Sequence, residues 1–225
     1  MRTSRQQMEN SMRLIVTGCS QTYGHTLPDC YVEHKQAHDG LGIAPAPSKM
    51  AFAQLIGDYL GLEVHNLSYP GASTRFMWHQ LVHFDYQPTD KVICVWTFPE
   101  RDLVVQKNKL NHVGTWATVN ELVKAYQRYI GMANSMEDLE LRSYEHMDHA
   151  HRVVAPQVET ILHYNISTLK YQTPPDWVTV KFQNALNCIV PDDEMDTAID
   201  ETHYGVESHR RFARQMIQDL AIAPN

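Results

Sequence analysis

The stretch LIVTGCSQTYG, residues 14–24, decides the fold. Arg13 leads into a continuous run, Leu14-Ile15-Val16-Thr17, that breaks at once into a small polar turn. A short apolar run of this kind reads as a strand buried on both faces. Gly18 permits a tight turn and close approach of backbone, so Cys19 and Ser20 stand at the carboxyl end of that strand. In parallel α/β sheets that end faces the crevice where chemistry collects. A serine hydroxyl there is a poor nucleophile unless a base takes its proton.

Outward from this stretch, short apolar runs alternate with helix-period segments. APAPSKMAFAQLIGDYLG (44–61) predicts a helix with Ser48 as N-cap and Gly61 as its stop. EVHNLS (63–68) reads as a second strand, and STRFMWHQLVHF (73–84) as a helix capped by Ser73. KVICVWTF (91–98) is the third and strongest strand. ATVNELVKAYQRYIGMA (117–133) places Val119, Leu122, Val123, Tyr126, Ile130 and Ala133 on one helical face. Helix is expected again over 136–150, strands over 158–165 and 186–190, and a closing helix over 204–220. This alternation predicts a mostly parallel sheet with helices on both faces. Residues 1–12 read as an N-terminal extension and 13–225 as one domain, a length that supports one sizeable core.

Charge and composition narrow the function. Lys and Arg number 19 against 26 Asp and Glu, a net charge of -7, which argues against nucleic acid as a partner. No apolar run approaches 18 residues and the N-terminus is polar, so a membrane span and a signal peptide are not expected and a cytoplasmic-type chain is. Cys19, Cys30, Cys94 and Cys188 form no C-x-x-C pair and read as free thiols. His146, His149 and His151 match no standard zinc spacing.

A base for Ser20 exists near the C-terminus, where Asp200 and His203 stand in IDETHYGVESHRRFA. A D-x-x-H spacing lets a carboxylate sit behind an imidazole, fixing its tautomer. Taken together, GCSQTYG after strand one, NLSYPGAS after strand two and DETHYGVESHRRFA before the last helix resemble the SGNH/GDSL hydrolase family in order and placement. The resemblance spans Arg13 to about Leu220, though its middle third carries no motif. It implies a three-layer α/β/α sandwich with a five-stranded parallel sheet, flavodoxin-like in layout. It further implies Ser20 as nucleophile, His203 as base, Asp200 orienting His203, and the backbone N–H groups of Ser20 and Gly71 as oxyanion donors. The G-C-S-x-T-x-G form is similar to phage-encoded members.

Two departures stand out. Cys19 occupies the position where the family carries Asp. The third block, expected as G-x-N-D, is absent; strand three ends instead in VWTFPERDL, leaving Arg101 or Thr97 as replacements for its asparagine. Asn66 precedes the second turn and belongs to strand two. The expected activity is therefore that of an ester hydrolase without cofactor or metal, acting on a small ester or an acylated carbohydrate. The competing expectation is a binding or structural protein that kept the fold and lost efficient catalysis, for example a virion component or an oligomer.

Overall fold

The computed structural model of the chain describes residues 12–33, 42–106, 109–113, 135–167 and 173–223. In order these form β1 (Arg13–Thr17), a one-turn α1 (Ser20–Tyr23), α2 (Phe52–Leu60), β2 (Glu63–Asn66), α3 (Thr74–Val82) and β3 (Lys91–Trp96). There follow β4 (Asp102–Gln106) and β5 (Lys109–Val113), an antiparallel pair, then α4 (Met136–Val154), β6 (Thr160–Asn165), a one-turn α5 (Leu186–Ile189) and α6 (Val206–Ile222). Four strands run parallel in the order β2-β1-β3-β6. The five-stranded expectation is thus corrected to four among the described residues. Beside β6 lies only a bridge between His163 and Phe182, with the Gln183 N–H donating to the His163 carbonyl at 2.7 Å.

Strand order reverses at β1. The chain leaves β1 for β2 on one side and crosses back to β3 on the other. Right-handed crossovers in opposite directions put α2 and α3 on opposite faces of the sheet. α6 packs against α2, and α4 against α3, completing the helix–sheet–helix layers. The crevice of such a fold opens at the carboxyl ends of β1 and β3.

Leu14, Ile15 and Val16 of β1 and Val92 to Trp96 of β3 are fully buried, as continuous apolar strands demand. α2 lies so close to β2 that a Cβ on Gly57 would meet Val64 Cγ2 at 2.1 Å. At the amino end of the sheet Arg13 grips buried Asp90 with two hydrogen bonds, of 2.9 and 2.6 Å, and reaches the Asp85 carbonyl at 2.8 Å. Within β3 and β6 the Trp96 indole donates to His163 Nδ1 at 3.0 Å, and His163 Nε2 lies 3.0 Å from His151 Nδ1. An indole only donates, so His163 is neutral with its proton on Nε2, which donates to His151. Burial holds His163 down to about 3.

Helix ends follow local chemistry. Ser73 caps α3 by accepting from the Phe76 N–H at 3.2 Å, as predicted. Gly61 ends α2 in the left-handed region at φ 66°. Ser48, however, does not cap α2. Its hydroxyl donates to Asp29 and accepts from the Met50 N–H, and extended Ala51 delays the helix to Phe52. His209 of α6 supplies the missing acceptor: the Phe52 N–H donates to its Nδ1 at 3.2 Å. Burial lowers His209 to about 4, which keeps that nitrogen free to accept. Residues 186–190, expected as a strand, form a helical turn. Leu186 and Val190, four apart, are both fully buried, a spacing that serves a helix face as well as a strand. The predicted helix over 117–133 lies outside the described residues.

Candidate active site

β1 delivers the candidate nucleophile through a glycine that has no substitute. A Cβ on Gly18 would meet Thr22 Oγ1 at 2.0 Å. Cys19 takes an extended conformation as N-cap of α1 and is fully buried in the core. Ser20 then opens the helical turn, which Gly24 closes at φ 70°, where a Cβ would strike Ser48. The Ser20 N–H, first in the turn, has no acceptor within its own helix.

The turn after β2 is bonded to this corner. The Leu67 N–H donates to the Val16 carbonyl at 2.7 Å and the Tyr69 N–H to the Gly18 carbonyl at 3.2 Å. Two residues on, Gly71 sits at φ 78°, in the left-handed region that favours glycine. Asn66 closes β2 as expected. Its amide donates to the Thr22 carbonyl at 3.2 Å, and its Oδ1 accepts from the Ser68 N–H at 3.1 Å. The asparagine braces the corner and spends its donor on backbone.

Asp200 and His203 meet inside a loop pinned by a bridge between Thr197 and Tyr204. Asp200 Oδ2 accepts from His203 Nδ1 at 2.5 Å and from the Thr202 hydroxyl at 2.6 Å. Asp200 Oδ1 accepts from the backbone N–H groups of Thr202 and His203 at 3.3 and 3.2 Å. Burial disfavours the carboxylate, but the hydrogen bonds from Thr202 and His203, with Thr26, outweigh it and hold Asp200 well below the usual carboxylate range. With Nδ1–H committed to Asp200, a neutral His203 presents Nε2 as an acceptor.

This loop docks on the segment that carries Ser20. The Tyr204 N–H donates to Gln21 Oε1 at 3.1 Å, and the Ile199 N–H to the Thr26 carbonyl at 3.3 Å. Thr26 Oγ1 lies 2.8 Å from Asp200 Oδ1. The His25 and His203 rings meet edge to face at 5.4 Å. Ser20 and His203 therefore share one corner of the molecule, with no hydrogen bond between them among the described residues. Catalytic contacts of this kind are commonly loose without substrate. Gln21 and Thr26 carry no motif, and the sequence offered no signal for them; His25, which follows the Gly24 turn and reads as a solvated loop histidine, is instead buried.

Thr97 and Arg101 are joined to each other. Thr97 is fully buried at the end of β3, and Arg101 Nη1 donates to its Oγ1 at 2.9 Å. The Arg101 guanidinium lies 4.7 Å from the Phe98 ring centre and lines a cavity of about 470 Å³ with Thr74, Arg75, Trp78 and His146. A second cavity, of about 600 Å³, opens along the outer edge of β6 beside His151 and Lys181 and includes none of the candidate residues. His149 accepts from the Trp78 indole at 2.8 Å, and no trio of His, Cys, Asp or Glu is set to hold a metal among the described residues. No described helix is long and apolar enough to cross a membrane.

No family model and no curated protein matches the chain. Solved structures do. A carbohydrate esterase family 2 enzyme with a carbohydrate-binding domain, from Corynascus thermopiles (Myceliophthora fergusii), aligns at a TM-score of 0.54 and 11% identity. The alignment covers 93% of this chain and 65% of that one. A lipolytic protein of the G-D-S-L family from Veillonella parvula aligns at 0.49 and 11% identity over 95% of this chain and 100% of that one. An acetyl-xylooligosaccharide esterase, Axe2, from Geobacillus Stearmophilus aligns at 0.49 and 13% identity over 94% and 95%. The chain shares the layered α/β fold of that carbohydrate esterase structure.

Proposed function

We propose that the chain is an SGNH/GDSL-type serine hydrolase that cleaves esters by acyl transfer. The observation that carries this reading is the preassembled Asp200–His203 pair docked on the Ser20 segment. Ser20 Oγ attacks the ester carbonyl while His203 Nε2 takes its proton. The tetrahedral oxyanion is held by the backbone N–H groups of Ser20 and Gly71. His203 returns the proton to the leaving alcohol, and water releases the acyl group by the same steps in reverse order. Asp200 stays ionised and stabilises the imidazolium. The absent third-block asparagine would cost about 10²–10³ in rate where a donor is missing. Arg101 and Thr97, the two candidates to replace that donor, are bonded to each other just beyond the carboxyl end of β3. A small ester or an acylated carbohydrate is the substrate class, a choice that the resemblance to a carbohydrate esterase fold supports.

A second reading, a binding or virion protein with a weakened site, draws on one observation: the Ser20–His203 contact is open. Fluorophosphonate labelling separates the two. An adduct on Ser20 that is absent in His203→Ala supports the hydrolase. Well-folded protein that takes no label leaves the second reading.

A further inference from the structure

Thr26 stands where a threonine is rarely found. Its φ is 66°, in the left-handed region that β-branched residues avoid. It is 1% exposed, and glycine or asparagine would hold that backbone at lower cost. Backbone kept in such a region against its own preference marks a constraint imposed by something else. Here that something is the side chain. Thr26 Oγ1 sits 2.6 Å from the His25 carbonyl and 2.8 Å from Asp200 Oδ1, both acceptors. One hydroxyl proton serves one of them, and the charged carboxylate is the stronger claimant. The Thr26 carbonyl also accepts from the Ile199 N–H at 3.3 Å. Thr26 thus grips the incoming arm of the loop that carries Asp200 and His203. Gln21, one residue after Ser20, grips the outgoing arm through the Tyr204 N–H at 3.1 Å.

We infer that Thr26 is a positioning residue that sets the Asp200–His203 pair against Ser20, with Gln21 as the other jaw of the clamp. The pair is internally assembled by Thr202 and by its own backbone, so these bonds do not tell it where Ser20 lies. The contacts of Gln21 and Thr26 do, since both residues belong to the segment that carries Ser20. The inference rests on Ser20 and His203 being the reacting pair. A displacement of about 1 Å in such a pair can cost about 10²-fold in turnover.

The test uses the full chain, p-nitrophenyl acetate as substrate, and the low-field proton signal of His203 Nδ1–H, assigned by its loss in His203→Gln. Thr26→Gly removes the hydroxyl and relieves the backbone, so its Tm is expected to hold or rise. Its kcat is expected to fall about 10²-fold with KM within about twofold, and its low-field signal to shift or broaden. Thr26→Val should behave alike in kcat, and Thr26→Ser should restore both kcat and the signal. Unchanged kcat and signal in Thr26→Gly overturn the inference. So does a loss in Thr26→Ser as deep as in Thr26→Gly, because the hydroxyl is then not the cause. If the wild type turns over no ester, the hydrolase reading falls by itself, and hydrogen exchange of the Ile199 and Tyr204 amides, which donate to Thr26 and Gln21, judges the clamp alone. Faster exchange in Thr26→Gly with wild-type rates in Thr26→Ser supports it, and unaltered exchange in Thr26→Gly overturns it.

Discussion

The two ends of β1, a few residues apart, are built on opposite rules. At the amino end the half-buried Arg13 meets the fully buried Asp90 through two hydrogen bonds, and the pair is tied further to the Asp85 carbonyl and the Gln87 N–H. Both carboxylate oxygens of Asp90 have partners, which is what a buried charge requires. At the carboxyl end the hydroxyls of Thr17 and Thr22 are buried with no hydrogen bond among the described residues. Thr26 and Glu201 occupy left-handed backbone, and Ser20 has no bond to His203. Left-handed backbone and two unanswered hydroxyls stand at the corner where chemistry is expected, and a satisfied ion pair stands at the other end. The contrast teaches that stability and the candidate activity are held at opposite ends of the same strands.

Mutations can break that contrast. Asp200→Asn should lower ester turnover by about 10⁴-fold; because its hydrogen bonds hold the carboxylate well below the usual range, it should also lower Tm, by less than Asp90→Ala does. A fall in Tm as large as that of Asp90→Ala would make the carboxyl end a second anchor and erase the difference. Asp90→Ala should show the opposite balance. It leaves Arg13 buried without its carboxylate and should cost about 3–5 kcal/mol in urea unfolding, with kcat intact below the transition. Wild-type kcat alongside wild-type stability would remove the amino-end anchor.

Acid sharpens the comparison further. His209 is held at about 4 by burial, against 6.5 when exposed. Between those values the unfolded chain binds a proton that the folded chain refuses. Stability is therefore complete above pH 6.5 and declines as pH falls toward 4. The loss for this one group is on the order of 3 kcal/mol, and His163, at about 3, adds in the same direction. Urea midpoints at pH 7 and pH 5 for the wild type and His209→Gln check this; equal pH slopes would exonerate His209. The smallest effect belongs to Ser73→Ala, which removes the cap of α3 and should cost about 1 kcal/mol.

The sheet was legible where burial leaves no choice. β1 and β3 are unbroken apolar runs, and that pattern has few readings inside a chain of this composition. The Ser73 cap and the helical spacing of Ala213, Met216 and Leu220 in α6, all buried, were legible because side chain and backbone act within a turn or two. The Asp200–His203 contact is local too, so its spacing carried it. What stayed hidden depends on distant partners. Ser48 lost the cap of α2 to Asp29 and to a histidine in α6, and neither contact is written near residue 48. Residues 186–190 fit two periods equally. The hairpin of β4 and β5 was not anticipated, although Leu103-Val104-Val105 precedes a polar break and the segment Lys109-Leu110-Asn111-His112-Val113. Thr26 finds its meaning 174 positions away, at Asp200.

The loop between Thr197 and Tyr204 has one more consequence. Its carboxylate and imidazole are fastened to each other by a bond internal to the loop. An acid–base unit that arrives finished can be moved as a single part. The gap to the serine then becomes a single setting, and under the proposed mechanism a change at the grip is enough to open or close it.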